Sequence, residues 1–227
     1  MMGLLIIFTN SCKKDESNTS NTITDIDGNV YHSATIGTQV WLVENLKTTK
    51  YNDGTAIPNI TADATWGAEN TGAYCDYSNT PGNSTTYGRL YNWYAVDNNV
   101  ATKVASNGGK NVCPISWHVP SDAEWTTLTT FLGGETVASG KLKETGTTHW
   151  TFPNTGATNE TGFTAPPGGL RVYFAGYSTI GNSGLWWSST EFSAADALYR
   201  IMNVNDPNVF RVDGYKQYGY SVRCVKD

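Results

Sequence analysis

Cys113-Pro114-Ile115-Ser116-Trp117-His118-Val119-Pro120-Ser121-Asp122-Ala123-Glu124-Trp125 is the stretch around which the rest of the chain can be ordered. Ser121, followed three residues on by Glu124, is a capping box: each side chain can bond the other's otherwise unpaired backbone N–H. Trp125, Leu128 and Leu132 then make an apolar stripe at helical spacing, and Gly133-Gly134 ends the helix. Beyond Gly140 the chain reads as short strands and Gly-rich loops, among them Leu185-Trp186-Trp187-Ser188-Ser189-Thr190-Glu191 and the closing Tyr218-Gly219-Tyr220-Ser221-Val222-Arg223-Cys224-Val225.

Upstream, residues 23–46 predict a β-hairpin. Asp25-Ile26-Asp27-Gly28-Asn29 supplies turn chemistry, and Gly37-Thr38-Gln39 makes a second turn before Val40-Trp41-Leu42-Val43. Residues 48–71 hold few periodic apolar positions and read as loop. Leu90, Trp93 and Tyr94 within residues 87–96 fall at helical spacing and predict the first of two helices. Two helices inside a strand-rich chain, with first and last strands able to pair, predict an α+β fold.

The chain has 227 residues and nothing after its N-terminus resembles a linker, so residues 23–227 read as one domain. A domain of this size buries roughly 70% of the surface its unfolded chain exposes. Charged residues are 15%, while eight Trp, thirteen Tyr, seven Phe and 23 Gly suit a loop-rich extracellular module. The net charge is −5 and no basic cluster follows Lys13-Lys14, which argues against nucleic acid as a partner.

Residues 4–8 are a short apolar run, far below the ~20 residues a membrane span needs. With Thr9-Asn10-Ser11 before Cys12 they resemble a bacterial lipoprotein signal, although Thr9 stands at a usually aliphatic position and a basic leading region is missing. Residues 1–11 are then the signal peptide and Cys12 the lipidated residue. Lys13-Lys14-Asp15-Glu16 resembles the tag that sends Bacteroidetes-type lipoproteins to the outer face of the outer membrane. Residues 12–22 would be a polar, flexible tether.

Several segments together resemble the Fibrobacter succinogenes major paralogous domain, a family of bacterial surface and secreted modules. They are Ile36-Gly37-Thr38-Gln39-Val40-Trp41 with Glu44-Asn45-Leu46, Tyr87-Gly88-Arg89-Leu90-Tyr91-Asn92-Trp93, and the three motifs of the second half. The resemblance runs from about Ile23 to Asp227 and implies a C-type lectin-like fold. In such folds a long-range disulfide ties the helical region to the last strand, and Cys113 and Cys224 resemble that pair; the alternative is two buried thiols. A loop of this length contributes about 4–5 kcal/mol in the chain-entropy model. Cys75 reads as buried on a strand rather than reactive.

No catalytic constellation emerges. None of His32, His118 and His149 lies near a Gly-x-Ser-x-Gly elbow, and His118 reads as packing or capping. The His and Cys are too scattered for zinc, no Walker loop occurs, and Glu191 and Asp196 carry no context marking a carboxylate pair. Enzymes of the lectin-like fold resembling the formylglycine-generating type use paired cysteines near the chain end, where only Cys224 stands. No Glu-Pro-Asn-type calcium loop precedes Trp187, and Asp206-Pro207-Asn208 reads as a turn, so neither metal nor cofactor is expected.

What remains is recognition. Residues 192–218 resemble the variable region of retroelement-diversified lectin-like proteins, and Phe192, Tyr199, Asn203, Asn205, Asn208, Arg211 and Tyr215 are its ligand-facing candidates; an ordinary exposed loop is the alternative. Trp186 and Trp187 are adjacent on a strand and should point to opposite sides, one into the core and the other, Trp187, toward ligand. The expectation is an outer-membrane lipoprotein that binds a glycan or protein without catalysis. The alternatives are a carbohydrate-active or redox enzyme and a passive structural protein.

Overall fold

A computed structural model of the chain describes residues 22–97 and 108–227. Cys12, the signal segment and all but the last residue of the tether lie outside these residues. Among the described residues the chain forms β1 Ile23–Thr24, β2 Val30–Tyr31, β3 Ser33–Ile36, β4 Gln39–Leu42, α1 Asp63–Ala68, β5 Tyr74–Cys75, α2 Pro81–Tyr87, β6 Leu90–Tyr91, α3 Trp93–Val96 and β7 Trp117–His118. There follow α4 Asp122–Phe131, α5 Glu135–Leu142, β8 Leu170–Val172, β9 Gly176–Ser178, β10 Ser183–Glu191, β11 Asp196–Asn203, β12 Val209–Tyr215 and β13 Val225–Lys226. No helix among them is long and apolar enough to cross a membrane.

The molecule is mixed and strand-rich, with five α-helices among the described residues where the sequence predicts two. The expected helix over 87–96 is split. α2 stops at Tyr87, Gly88 takes φ 74°, and a Cβ there would stand 2.5 Å from Asn45 Cβ. Arg89 N–H then donates to Leu46 O and Tyr91 N–H to Tyr220 O, drawing the chain into β6 before the short α3. Helices α1, α2 and α5 escape prediction because each lacks an apolar stripe. α5 packs through Ala138, Ser139 and Gly140, and a Cβ on Gly140 would lie 2.5 Å from Gly156 O.

α4 begins as predicted. Ser121 Oγ accepts from Glu124 N–H, and Glu124 Oε2 accepts from Ser121 N–H at 2.8 Å. Trp125, Leu128 and Leu132 are buried with Trp41, Phe163, Trp186 and Met202. The Trp41 and Trp125 rings lie 4.8 Å apart. His118 joins helix to chain end: one ring nitrogen lies 2.8 Å from Glu124 Oε1 and the other 2.6 Å from Asp227 Oδ1. These two carboxylates raise its pKa to about 8, the Glu124 bond most, against the opposing pull of burial.

The last strand pairs with an early one, though not with the first: β1 pairs with β2, and β13 with β4. The central sheet has the order β3-β4-β13-β7, with Val225 between Trp41 and His118. Just before β13, Cys224 is disulfide-bonded to Cys113, 111 residues away, with Cα atoms 6.0 Å apart. Cys75 is a free thiol in the core, and burial raises its pKa to about 11. A second, antiparallel sheet holds β10-β11-β12.

Between the sheets sits a polar hub. Asn45 Oδ1 accepts from Trp186 Nε1 at 2.8 Å and Arg223 Nε at 2.6 Å, while Asn45 Nδ2 donates to Tyr87 O. Arg223 is fully buried, donates further to Leu42 O, Phe163 O and Thr164 O, and lies 4.2 Å over the Phe163 ring. Burial without a carboxylate in contact lowers its pKa to about 9.

Candidate functional site: an aromatic face beside the three-stranded sheet

Strand alternation divides the residues of β10, β11 and β12 between two faces. Trp186, Arg200, Met202 and Val209 are buried on one, where Arg200 donates to Asp122 Oδ1 at 2.7 Å. On the other, Leu185 and Trp187 are buried, and Tyr199 and Ile201 pack against them half-exposed. Cross-strand pairs Tyr199–Val212 and Ile201–Phe210 carry this second face toward solvent.

The sequence-predicted ligand residues do not converge. Trp187 is fully buried and donates its Nε1–H to Tyr91 O, so it belongs to the core and not to the surface; Trp186 and Trp187 are both core because each face of β10 is covered. Asn203, Asn205 and Asn208 lie at the β11–β12 turn, which is fastened down. Lys143 Nζ donates to Thr155 O, Asn203 O and Asp206 O, and Ser139 N–H to Pro207 O. Asn203 also accepts from Ser183 Oγ. Arg211 is on the opposite face from Tyr199, with its Nε within 3.0 Å of both Asp122 carboxylate oxygens. Phe192 and Tyr215 are exposed at the other end of the sheet, about 20 Å from the asparagine turn at the rise of a strand.

At that other end the structure joins Tyr215 and Tyr199 to residues that pattern reading missed, Tyr173, Phe174 and Tyr218. Tyr173 and Phe174, in the β8–β9 turn, have ring centroids 4.8 Å apart. Tyr173 lies edge-on to Tyr215 at 5.3 Å and to Tyr218 at 5.8 Å. Tyr218 stacks on Tyr220 at 5.7 Å, and Tyr220 meets Tyr199 at 4.6 Å and Trp187 at 4.3 Å. A continuous line of rings thus leads from the core at Trp187 to the exposed Phe174 and Tyr215. Aromatic pairs at these separations add to the burial of their area, so the line is stiff. Burial raises the pKa of Tyr199, Tyr218 and Tyr220, most strongly Tyr220.

The segment 216–218 that carries Tyr218 is held from both sides. Lys216 is buried, with Nζ on Glu191 and Ala194 O and 4.7 Å over the Trp93 ring. Gln217 O accepts from Trp66 Nε1 at 2.7 Å, and Gln217 Nε2 donates to Tyr94 Oη. The one signal in sequence was the spacing Tyr215-x-x-Tyr218-x-Tyr220; nothing local ties it to Tyr173-Phe174.

Chemically, the arrangement can bind. Among the described residues, no group of three or more His, Cys, Asp or Glu is placed to hold a metal ion. The three histidines each lie within ion-pair reach of a carboxylate: His32 with Glu44, His118 with Glu124 and Asp227, His149 with Glu144. No curated protein and no solved structure matches the chain. Residues 34–226, from β3 to the last strand, match the Fibrobacter succinogenes major domain, and the chain belongs to that family.

Proposed function

We propose that this protein is a surface-anchored recognition module that binds a glycan or protein ligand and catalyses no reaction. The observation that carries the reading is the line of rings ending in exposed Tyr215 and Phe174, with half-exposed Tyr173 between them, on a scaffold fixed by Lys216 and the sheet. Rigid tyrosines offer a large amphipathic contact area at small entropy cost, which suits recognition. The pairing of the early strand β4 with the last strand, and the disulfide that ties Cys113 to Cys224 just before β13, support a C-type lectin-like scaffold. The N-terminal apolar run, Cys12 and the polar tether support lipid anchoring to the outer membrane. Among the described residues Cys75 is buried and Cys224 is disulfide-bonded to Cys113, which weighs against the redox alternative.

The test is an array of glycans and bacterial surface proteins probed with the full chain and with a Tyr215→Ala/Tyr218→Ala variant. A hit lost in the variant supports the reading. A hit retained moves the site elsewhere on the module. Absence of any hit favours a passive structural protein.

A further inference from the structure

Phe174 combines exposure with fixation. More than half of its surface, 57%, is open. Its inner side rests on Gly67 of α1 so closely that a Cβ there would stand 2.3 Å from Cδ1 and Cε1. The Tyr173 ring closes one flank. The ring is therefore packed on its inner side and open to solvent on the other.

One helical turn before Gly67, on the same side of α1, is Asp63. Its Oδ1 accepts from Arg171 Nη2 at 2.9 Å. Its Oδ2 faces Gly176, standing 3.8 Å from where a Cβ would be, and the side chain is 48% exposed. An open acceptor thus lies beside the Phe174 platform. The tyrosine hydroxyls of residues 173, 215 and 218 belong to the rings on its other flank.

Charge selects among ligands. Arg171 is fully buried and committed: it donates to Thr61 O and Ile60 O and lies 4.5 Å over Trp66 and 5.1 Å over Tyr177. It neutralises Asp63 without offering its own charge to an anion. The pair leaves no net charge to attract a cation. The chemistry that fits is an uncharged molecule with an apolar face and several hydroxyl donors, which is a pyranose.

We infer that Phe174 and Asp63, with the Tyr173–Tyr215–Tyr218 rings as rim, form a subsite for one sugar unit of a neutral glycan. The sugar's C–H face packs on Phe174 and adjacent hydroxyls donate to Asp63 Oδ2. This rests on the recognition reading above and names its ligand class.

The experiment probes the full chain on arrays of neutral oligosaccharides, anionic oligosaccharides and folded surface proteins, followed by titration of the neutral hits. Phe174→Ala should weaken neutral-glycan binding about tenfold, the size of one aromatic contact, while Phe174→Trp retains it. Gly67→Ala should weaken it comparably by displacing the ring while leaving it in the sequence. Phe131→Ala is the control. It removes another exposed phenylalanine, which lies on Gly37 at the β3–β4 turn, and should leave binding unchanged. Thermal melting confirms that each variant is folded. Neutral-glycan binding that Phe174→Ala leaves intact overturns the subsite. Binding of anionic glycans or proteins alone overturns the ligand class and leaves the recognition reading standing. No binding of any class overturns both.

Discussion

Arg223 and Tyr218 stand a few residues apart on the same closing segment and do opposite work. Arg223 turns inward to Asn45, Leu42 O, Phe163 O and Thr164 O, and every one of its partners belongs to the scaffold. Tyr218 lies half-exposed among Tyr173, Tyr215 and Tyr220. The segments that carry the family resemblance cluster around the first kind of residue: Asn45, Tyr87-Gly88 and Trp186 all touch the Arg223 hub directly or through Asn45. The lesson is that the legible motifs build the frame, and the residues available for binding lie between them, as Tyr173, Phe174 and Tyr215 do, or at a motif's outer end, as Tyr218 does.

Substitutions can break this contrast, and the largest effect belongs to the frame. Removing the disulfide in a Cys113→Ala/Cys224→Ala variant frees a 111-residue loop, and the chain-entropy model gives a loss of about 4–5 kcal/mol in denaturant unfolding. Next comes Arg223→Met, which takes this donor from the carbonyls of Leu42, Phe163 and Thr164 and leaves Asn45 Oδ1 with Trp186 Nε1 alone. A loss of about 3 kcal/mol or more is expected, with a lower thermal midpoint. A loss within the range of an ordinary surface change would dissolve the distinction between hub and patch.

Smaller is the pH effect at His118. Its folded pKa of about 8 exceeds the ordinary 6.5, so protonation is linked to folding. The contribution is full below pH 6.5 and is lost as pH rises through 8. Solvent screening at a side chain 29% exposed limits it to about 1 kcal/mol. Comparing unfolding at pH 6 and pH 9 for the native chain and His118→Gln isolates it. Smallest in stability is Tyr215→Ala, exposed at the strand end, with a change of about 0.5 kcal/mol or less. If Tyr215→Ala melts the protein as Arg223→Met does, the patch is frame after all.

Which parts were readable follows from the range of the interactions. The α4 start was readable because Ser121 and Glu124 bond within one turn. The β3–β4 hairpin was readable because its partners flank a Gly-Thr turn. The Cys113–Cys224 pairing came through family resemblance. Helices α1, α2 and α5 were not readable, since they are held by single contacts such as Trp66 Nε1 on Gln217 O, 151 residues away, or Ser84 on buried Asp76. The candidate site was half readable. Tyr199 and Tyr215 were named from the strand region, but Tyr173 and Phe174 sit in a turn whose partners lie some forty residues downstream. Strand alternation misplaced Trp187 because it describes a sheet with one wet face, and β10 has none along Trp186-Trp187.

The short strand Val225–Lys226 lies inside the central sheet, between β4 and β7. That position imposes an order in time. β4 is synthesised early, and its neighbour in the sheet, β13, is encoded far downstream. The Trp41 strand and the Cys113 thiol must both wait for residues 224–226. Closure of the central sheet therefore waits until residues 224–226 have been made, and so distant a pairing closes slowly. A chain cut before Cys224 would lack the piece that closes the fold, and would remain open rather than become a slightly smaller protein.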